Sequence, residues 1–181
     1  MVVFFRYKDK SSQQQVTRAE RMGKYITLQE AVALREALRT QGKTVVLANG
    51  CFDLLHGGHI HLFKQAKKLG DVLIVAVNDD ASIQRLKGLN RPVFPLIERL
   101  EVLVAVEYID YLLSFSKDTP KELIAALVPD VLVKGGDWKP DEVVGREEVE
   151  NAGGKVVIIP YLAGFSSSDI IRKIKSIKQE T

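Results

Sequence analysis

The fold is decided by the stretch VVLANGCFDLLHGGH at residues 45–59. Its apolar start is typical of a buried strand, and Asn49-Gly50 interrupts that strand. Two glycines then lie between His56 and His59, just before an amphipathic segment. A strand, a glycine-rich turn and a helix N-terminus suit a phosphate chain, because the free N–H groups of a helix start attract anions. The stretch therefore predicts a phosphate-binding loop, in which the histidines act as hydrogen-bond donors or as cations.

Strand and helix patterns alternate along the chain from Thr44 onward. The predicted strands span residues 45–48, 72–77, 108–115, 131–133 and 156–159. The predicted helices span residues 59–69, 81–86, 96–106, 141–151 and 166–177, and one more begins at Pro120. Apolar strands that alternate with helices predict a parallel sheet covered on both faces. We therefore expect an α/β fold with a Rossmann-like, doubly wound parallel sheet of about five strands.

The first part of the chain predicts an extension to this sheet. Residues 1–26 are polar and weakly periodic. Thr27 is followed three positions later by Glu30, which is the pattern of a capping box, and apolar residues then recur at helical spacing. We expect residues 1–43 to form an N-terminal extension with one helix at about 27–41, and residues 44–181 to form a single domain.

Composition excludes several classes of protein. The net charge of +3 is small and no block of basic residues stands out, which favours a small anionic ligand over a nucleic acid. Cys51 is the only cysteine, so an intramolecular disulfide and a cysteine-based zinc site are excluded. No apolar run approaches the length of a membrane span, and the first residues do not resemble a signal peptide. These features predict a cytoplasmic protein that binds neither nucleic acid nor membranes.

Polar clusters follow four of the predicted strands, at residues 49–59, 78–80, 134–138 and 165–168. In an open parallel sheet, ligands bind outside the carboxyl ends of the strands. The clusters therefore predict one ligand site at this edge of the sheet. The serines at 166–168 start the last predicted helix, where free N–H groups and hydroxyls suit phosphate.

The motif His56-Gly57-Gly58-His59, preceded by Asn49-Gly50 and Phe52-Asp53, resembles the cytidylyltransferase-like nucleotidyltransferases. The resemblance implies that both histidines contact the phosphates and stabilise the transition state at the α-phosphorus. It also implies that Lys87 closes over the β- and γ-phosphates. Ile171 stands where arginine is expected, and Arg172 and Lys173 are displaced, so neither is assigned to phosphate.

Further segments, at residues 77–80, 85–88, 91–93 and 130–137, are similar to the nucleotidyltransferases of bacterial ADP-heptose synthesis. This resemblance covers residues 44 to about 174. It implies the transfer of AMP from ATP to D-glycero-β-D-manno-heptose 1-phosphate, which yields ADP-heptose and pyrophosphate. It also implies Mg²⁺ bound with ATP, no dedicated metal site on the protein, and a homodimer as one oligomeric state.

Three groups of residues are predicted for the site. The catalytic group is His56, His59 and Lys87. The nucleotide-binding group is Asn49, Gly50, Cys51, Phe52, Gly58, Lys134, Gly135, Asp137, Ser166, Ser167 and Ser168. The sugar-phosphate-binding group is Asp53, Asn78, Arg91 and Trp138. His61 is interpreted as a helix-surface residue, and Glu98-Arg99 as either a structural ion pair or part of the site.

Two alternative functions stay open on the sequence. The first is a cytidylyltransferase that acts on glycerol 3-phosphate or a similar phosphate alcohol, because loops read the base and the acceptor. The second is a nucleotide-binding module without turnover, because a fold alone does not imply chemistry. A dinucleotide-binding dehydrogenase is disfavoured, since no Gly-x-Gly-x-x-Gly follows the first strand.

Overall fold

The computed structural model describes residues 24–160, 162, 164 and 166–177. The first 23 residues of the predicted extension, Phe165 of the predicted serine cluster and residues 178–181 lie outside the described residues. The strands are β1 (Val45–Gly50), β2 (Val72–Asn78), β3 (Tyr111–Phe115), β4 (Val131–Gly135) and β5 (Lys155–Ile159). The helices are α1 (Leu28–Thr40), α2 (Gly57–Lys67), α3 (Asp80–Lys87), α4 (Leu96–Leu103), α5 (Lys121–Leu127), α6 (Arg146–Asn151) and α7 (Ser167–Ile177).

The five strands form one parallel sheet in the order β3-β2-β1-β4-β5. Ala48 of β1 therefore pairs with Val75 of β2 on one side and with Val133 of β4 on the other. The chain leaves β1 toward one edge of the sheet and later returns to its other side. This reversal of strand order opens a crevice at the carboxyl end of β1, and the predicted doubly wound fold is confirmed.

Successive residues of the strands supply two core layers, because neighbouring side chains in a strand point to opposite faces. Val46 and Ala48 pack in one layer with Phe63 of α2. Val45 and Leu47 pack in the other layer, which is covered by α1, α5 and α6. Each fully buried Leu, Ile or Phe contributes about 1.5–3 kcal/mol. The sheet is thus buried on both faces, as its apolar strands predict.

The described part of the predicted extension packs on the sheet. The capping box predicted at Thr27 and Glu30 is present, and α1 begins directly after it. Tyr25 forms a parallel bridge with Leu112, and Ala31 is fully buried. The helix predicted at 27–41 is therefore confirmed, and it covers one face of the sheet.

Several predicted boundaries were wrong. The strand predicted at 108–115 begins only at Tyr111, and just before it Asp110 donates its N–H to the carbonyl of Leu73 at 3.0 Å and accepts the N–H of Leu73 at 2.7 Å on its carboxylate. The helix predicted at 96–106 ends at Leu103. The helix predicted at 141–151 is divided into a 3₁₀ turn at Pro140–Glu142 and α6, because Gly145 between them has φ +90°. A side chain at Gly145 would also meet Ile124 at 2.5 Å, so glycine is required there.

The lengths of the described helices can be compared with the length that a membrane-spanning helix needs. The longest of them has 13 residues. In the part of the chain that the structure describes, no helix combines the length and the apolar character of a bilayer span.

Candidate functional site

A cleft of about 640 Å³ opens at the carboxyl ends of the strands. This volume is within the usual range of small-molecule sites. The cleft is lined by every residue that the sequence predicted for the site except Asp137, which is exposed and lies outside it. The structure therefore brings the predicted residues other than Asp137 together in one cleft, and the contacts within it show which side chains are already held by protein groups.

The phosphate loop after β1 is held in an unusual backbone conformation. Phe52 has φ +43°, a value that side-chain-bearing residues rarely adopt. A Cβ atom on Gly50 would lie 3.1 Å from the ring of Phe52, which explains the glycine. The ring of Phe52 is buried and meets His59 edge-on, with centroids 5.4 Å apart. Phe52 thus supports the imidazole of His59 from the protein interior.

The two histidines of the motif stack on each other. His56 stands at the N-cap of α2 and His59 in its first turn, and their ring centroids are 3.9 Å apart. Burial lowers the pKa of His56, and burial with the neighbouring charges of His56 and Lys87 lowers the pKa of His59 to about 4. Among the described residues, Nδ1 of His59 is buried and has no hydrogen-bond partner. Of the two predicted roles, the structure of the free protein favours neutral hydrogen-bond donors.

Asp53 clamps the loop before α4 to the phosphate loop. Its carboxylate accepts Nε–H of Arg91 at 2.7 Å and the N–H groups of Val93 at 2.9 Å and Phe94 at 3.0 Å. Burial alone would raise the pKa of Asp53, but these donors together hold it below the usual value. Both carboxylate oxygens are therefore occupied by protein groups, so Asp53 positions Arg91. Within the described residues, Nη2 of Arg91 is buried without a partner.

Arg99 is a second clamp, which the sequence left ambiguous between structure and site. Its fully buried guanidinium donates to the carbonyl of Cys51 at 2.6 Å and to the carbonyl of Phe94 at 3.1 Å. It also pairs with Asp80 at 2.8 Å. The arginine thereby joins the phosphate loop, the loop that carries Arg91 and the start of α3. The available signal was its position, three residues after Leu96 and one before Leu100, on the apolar face of a helix.

The wall formed by β1 and β4 carries a lysine. Nζ of Lys134 lies 3.4 Å from Oδ1 of Asn49 and 5.7 Å from the ring centroid of Trp138. Burial lowers the pKa of Lys134. Asn78 is buried nearby in the cleft wall, and its amide donates to Oγ of Ser82 at 2.9 Å. Asn78 therefore also has a structural bond, which fixes the start of α3.

The predicted phosphate arm and serine cluster face the same cleft. Lys87 is exposed and is the last residue of α3, where Gly88 ends the helix with φ +91°. Oγ of Ser167 donates to the carbonyl of Leu54 at 3.1 Å, which ties the N-terminus of α7 to the phosphate loop. Arg172 pairs with Asp169 at 3.1 Å on the exposed side of α7. The structure thus brings the histidines, the lysine and the three serines into one cleft.

Sequence reasoning missed other residues that line the cleft. They are Leu62, Leu86, Asp118, Pro120, Ile159, Pro160, Leu162, Gly164 and Asp169. Asp118 lies in the loop after β3, which the sequence analysis left out of the site, and it pairs with Arg85 at 2.6 Å. A position just past a strand end was the only signal for it. Among the described residues, no group of three or more His, Cys, Asp or Glu side chains is placed to hold a metal ion.

Comparison with known proteins bears on the same region of the chain. Residues 47–173 match the family model described as cytidylyltransferase-like. The chain is 51% identical over 144 residues to bifunctional protein HldE of Halorhodospira halophila, which covers 80% of this chain and 30% of that protein. It is 52% identical over 149 residues to bifunctional protein HldE of Salmonella paratyphi A, which covers 82% of this chain and 31% of that protein. The chain thus spans about a third of the length of these curated relatives.

Two solved structures are similar to this chain in fold. A lipopolysaccharide core biosynthesis protein from Thermoplasma volcanium is 33% identical, with a TM-score of 0.55, over 67% of this chain and 98% of that chain. Pantoate-beta-alanine ligase from Francisella tularensis, complexed with ATP and beta-alanine ligands, has a TM-score of 0.55 at 17% identity. It covers 83% of this chain and 76% of that chain, and it supports the fold alone.

Proposed function

The chain belongs to the cytidylyltransferase-like family, and we propose on this basis that it is an adenylyltransferase. It transfers AMP from ATP to D-glycero-β-D-manno-heptose 1-phosphate, with ADP-heptose and pyrophosphate as products. The sugar follows from the resemblance of residues 77–80, 85–88, 91–93 and 130–137 to the nucleotidyltransferases of ADP-heptose synthesis. The similarity to a lipopolysaccharide core biosynthesis protein supports the same assignment.

One observation carries the proposal. His56, His59, Lys87 and the serines that start α7 line a single cleft at the carboxyl end of β1. A triphosphate needs donors on several sides, and this cleft supplies imidazole N–H groups, an ammonium group, hydroxyls and the free N–H groups of two helix starts. Nothing in the packing of the core requires these groups to meet at one place.

The reaction is an in-line displacement at the α-phosphorus of ATP. An oxygen of the sugar phosphate forms the new P–O bond, and the bond from the α-phosphorus to the bridging oxygen of the pyrophosphate breaks. The electron pair leaves on pyrophosphate, and no covalent enzyme intermediate forms. The nucleophile is already an anion, so no general base is needed. Catalysis then depends on positioning and on neutralisation of charge.

Each group of the cleft has a role in this reaction. The neutral imidazoles of His56 and His59 donate hydrogen bonds to the α- and β-phosphate oxygens, where negative charge increases in the transition state. Lys87, at the end of α3, and the start of α7 stabilise the leaving pyrophosphate. Arg91 binds the sugar phosphate, and Asp53 fixes its guanidinium at the cleft by holding Nε at 2.7 Å.

Magnesium enters this reaction with ATP. The carboxylates that line the cleft are already paired, Asp53 with Arg91, Asp118 with Arg85 and Asp169 with Arg172. They do not form a protein cage for Mg²⁺. A magnesium ion would be held by phosphate oxygens and water, as is usual for nucleotide-bound magnesium.

The test is a pyrophosphate-release assay of the purified protein. ATP and CTP are each offered with heptose 1-phosphate, glycerol 3-phosphate and phosphocholine. We expect the highest kcat/KM for ATP with heptose 1-phosphate. Equal or better use of CTP would favour the cytidylyltransferase instead, and nucleotide binding without pyrophosphate release would favour the non-catalytic module. We further propose that the protein is cytoplasmic and forms a homodimer. Light scattering tests the oligomeric state.

A further inference from the structure

We infer that Lys134 is a second receptor, besides Arg91, for the phosphate group of the acceptor, and that it lies on the wall of the cleft opposite the two histidines. This inference rests on the proposed function, because it assigns one substrate to one part of the same cleft. It changes the assignment made from the sequence, which placed Lys134 among the nucleotide-binding residues.

Lys134 is one of two half-buried cations in the described chain for which no carboxylate partner is found; the other, Lys24, donates to the carbonyl oxygen of Val104 at 3.1 Å. The remaining ones have carboxylate partners: Arg35 with Asp130, Lys67 with Asp110, Arg91 with Asp53, Arg99 with Asp80, and Arg146 with Glu150. Lys134 has none in the described residues, and its one hydrogen-bond acceptor is a neutral amide oxygen at 3.4 Å. Charged groups that are withdrawn from water are normally paired, because burying an unpaired charge is costly. A bound anion would supply the missing partner.

The sheet places Lys134 on the other side of the cleft from the histidines. Leu132 belongs to the core layer under α5 and α6, and Lys134 lies two residues further on the same face of β4. Its partner Asn49 follows Leu47 of that layer in the same way. α2, which carries His59, packs through Phe63 on the opposite layer. The cleft therefore has two walls, with imidazoles on one and an ammonium group on the other.

Two walls of this kind fit the geometry of the reaction. In an in-line displacement, the attacking and leaving oxygens lie on opposite sides of the phosphorus. We place the leaving pyrophosphate along the histidines and the start of α7. The acceptor phosphate must then approach from the opposite wall, which is formed by β1 and β4. The ammonium group of Lys134 would neutralise charge on the entering phosphate and reduce its repulsion by the triphosphate. Trp138, which contacts Lys134, borders the same approach.

The experiment compares Lys134→Gln and Lys134→Arg with the wild type by pyrophosphate release, and measures KM separately for heptose 1-phosphate and for ATP. We expect Lys134→Gln to raise the KM for heptose 1-phosphate by about 10- to 100-fold, the range for a lost hydrogen bond to a charged group. The KM for ATP should change less than about threefold, within the context dependence of such contacts. Lys134→Arg should restore part of the loss. Lys67→Gln is the matched control, because that lysine is half-buried, carboxylate-paired and outside the cleft.

The outcomes separate the possible ligands. An increase confined to the KM for ATP would show that Lys134 binds the nucleotide and would overturn the inference. Unchanged KM values for both substrates would overturn it as well. If the wild type releases no pyrophosphate with any acceptor, the proposed function fails first. Calorimetric titration with heptose 1-phosphate then decides the inference by itself: binding that Lys134→Gln abolishes supports it, and binding that is equal or absent in both proteins contradicts it.

Discussion

Among the described residues, three cations at the amino ends of the strands are each paired with a carboxylate, whereas Lys134 at the carboxyl ends has no carboxylate partner. Three aspartates at the amino ends each form an ion pair with a lysine or arginine. Each also accepts a hydrogen bond from the backbone N–H of a residue at or next to the start of a strand. They are Asp130 with Arg35 and Val45, Asp71 with Lys43 and Thr44, and Asp110 with Lys67 and Leu73. Each of these three carboxylates is therefore matched by a cation, while Nη1 of Arg35 is buried without a hydrogen-bond partner among the described residues.

At the carboxyl ends, two buried nitrogen atoms have no hydrogen-bond partner among the described residues, and one lysine has an amide oxygen but no carboxylate as its partner. Nδ1 of His59 and Nη2 of Arg91 are buried without hydrogen-bond partners, and Lys134 has no carboxylate. Groups of this kind reduce stability, since each buried polar group without a partner costs about 1–3 kcal/mol. From this comparison we expect the amino end of the sheet to stabilise the fold and the carboxyl end to receive the anionic ligand that we propose.

The largest expected effect tests the carboxyl end. His59→Ala removes one donor to the phosphates and should lower kcat by about 10²–10³, the usual cost of losing a preorganised donor at a developing charge. The measurement is pyrophosphate release at saturating ATP and heptose 1-phosphate. The thermal unfolding midpoint should stay close to that of the wild type, which separates chemistry from folding.

His61→Ala is the control for this variant. His61 lies two residues further on α2 and does not line the cleft, so its loss should leave kcat unchanged. A His59→Ala protein that keeps most of its turnover would remove His59 from catalysis, and equal losses in both variants would point to a general effect on α2.

The next effect tests the amino end. Asp130→Asn removes the charge that holds Arg35 at 2.6 Å and weakens the bond to the N–H of Val45 at 2.7 Å. We expect the free energy of unfolding to fall by about 1–3 kcal/mol, with kcat/KM unchanged. Denaturant unfolding and the pyrophosphate assay measure the two quantities.

Glu36→Gln provides the comparison for Asp130→Asn. Glu36 pairs with Arg39 at 3.9 Å, with both side chains exposed, and such pairs contribute at most about 0.5 kcal/mol. A fall in kcat/KM with Asp130→Asn at unchanged stability would contradict the division of the sheet into a structural and a functional end.

The smallest effect tests the buried link behind the cleft. Arg99→Lys keeps the charge but cannot reach Cys51, Phe94 and Asp80 at once, because one ammonium group replaces three donor positions. Arg91 and Lys87 should then be misplaced, and kcat/KM should fall about tenfold. Arg35→Lys, a half-buried arginine at the amino end, should lower stability alone. If Arg99→Lys also lowers only the unfolding midpoint, its role is structural and not positional.

The sequence predicted what local patterns determine. The apolar run of β1, the break at Asn49-Gly50 and the serines before α7 are consecutive in the chain, so the cleft could be located without coordinates. The polar cluster predicted at residues 78–80 contains the N-cap of α3, since the carboxylate of Asp79 accepts the N–H of Ser82.

The remainder depends on pairing between distant segments. Asp53 and Arg91 are 38 residues apart, and Arg99 and Cys51 are 48 apart, so nothing local shows that Asp53 supports Arg91 or that Arg99 lies beneath the phosphate loop. Asp137 follows a strand as its neighbours do, yet its side chain is exposed outside the cleft. Residue type and position beside a strand end predicted which residues line the cleft, but they did not show which side chains are held by distant partners.

The central claim is that the stacked histidines bind the phosphate chain of a nucleotide. The direct measurement is the pKa of His59 by NMR titration, with and without the non-hydrolysable analogue α,β-methylene-ATP. In the free protein, burial and the charges of His56 and Lys87 lower this pKa to about 4. A bound phosphate stabilises the protonated imidazole, so the account predicts a rise of about 1–3 units when the analogue binds. A His59 pKa that stays near its free value at saturating analogue would contradict the account.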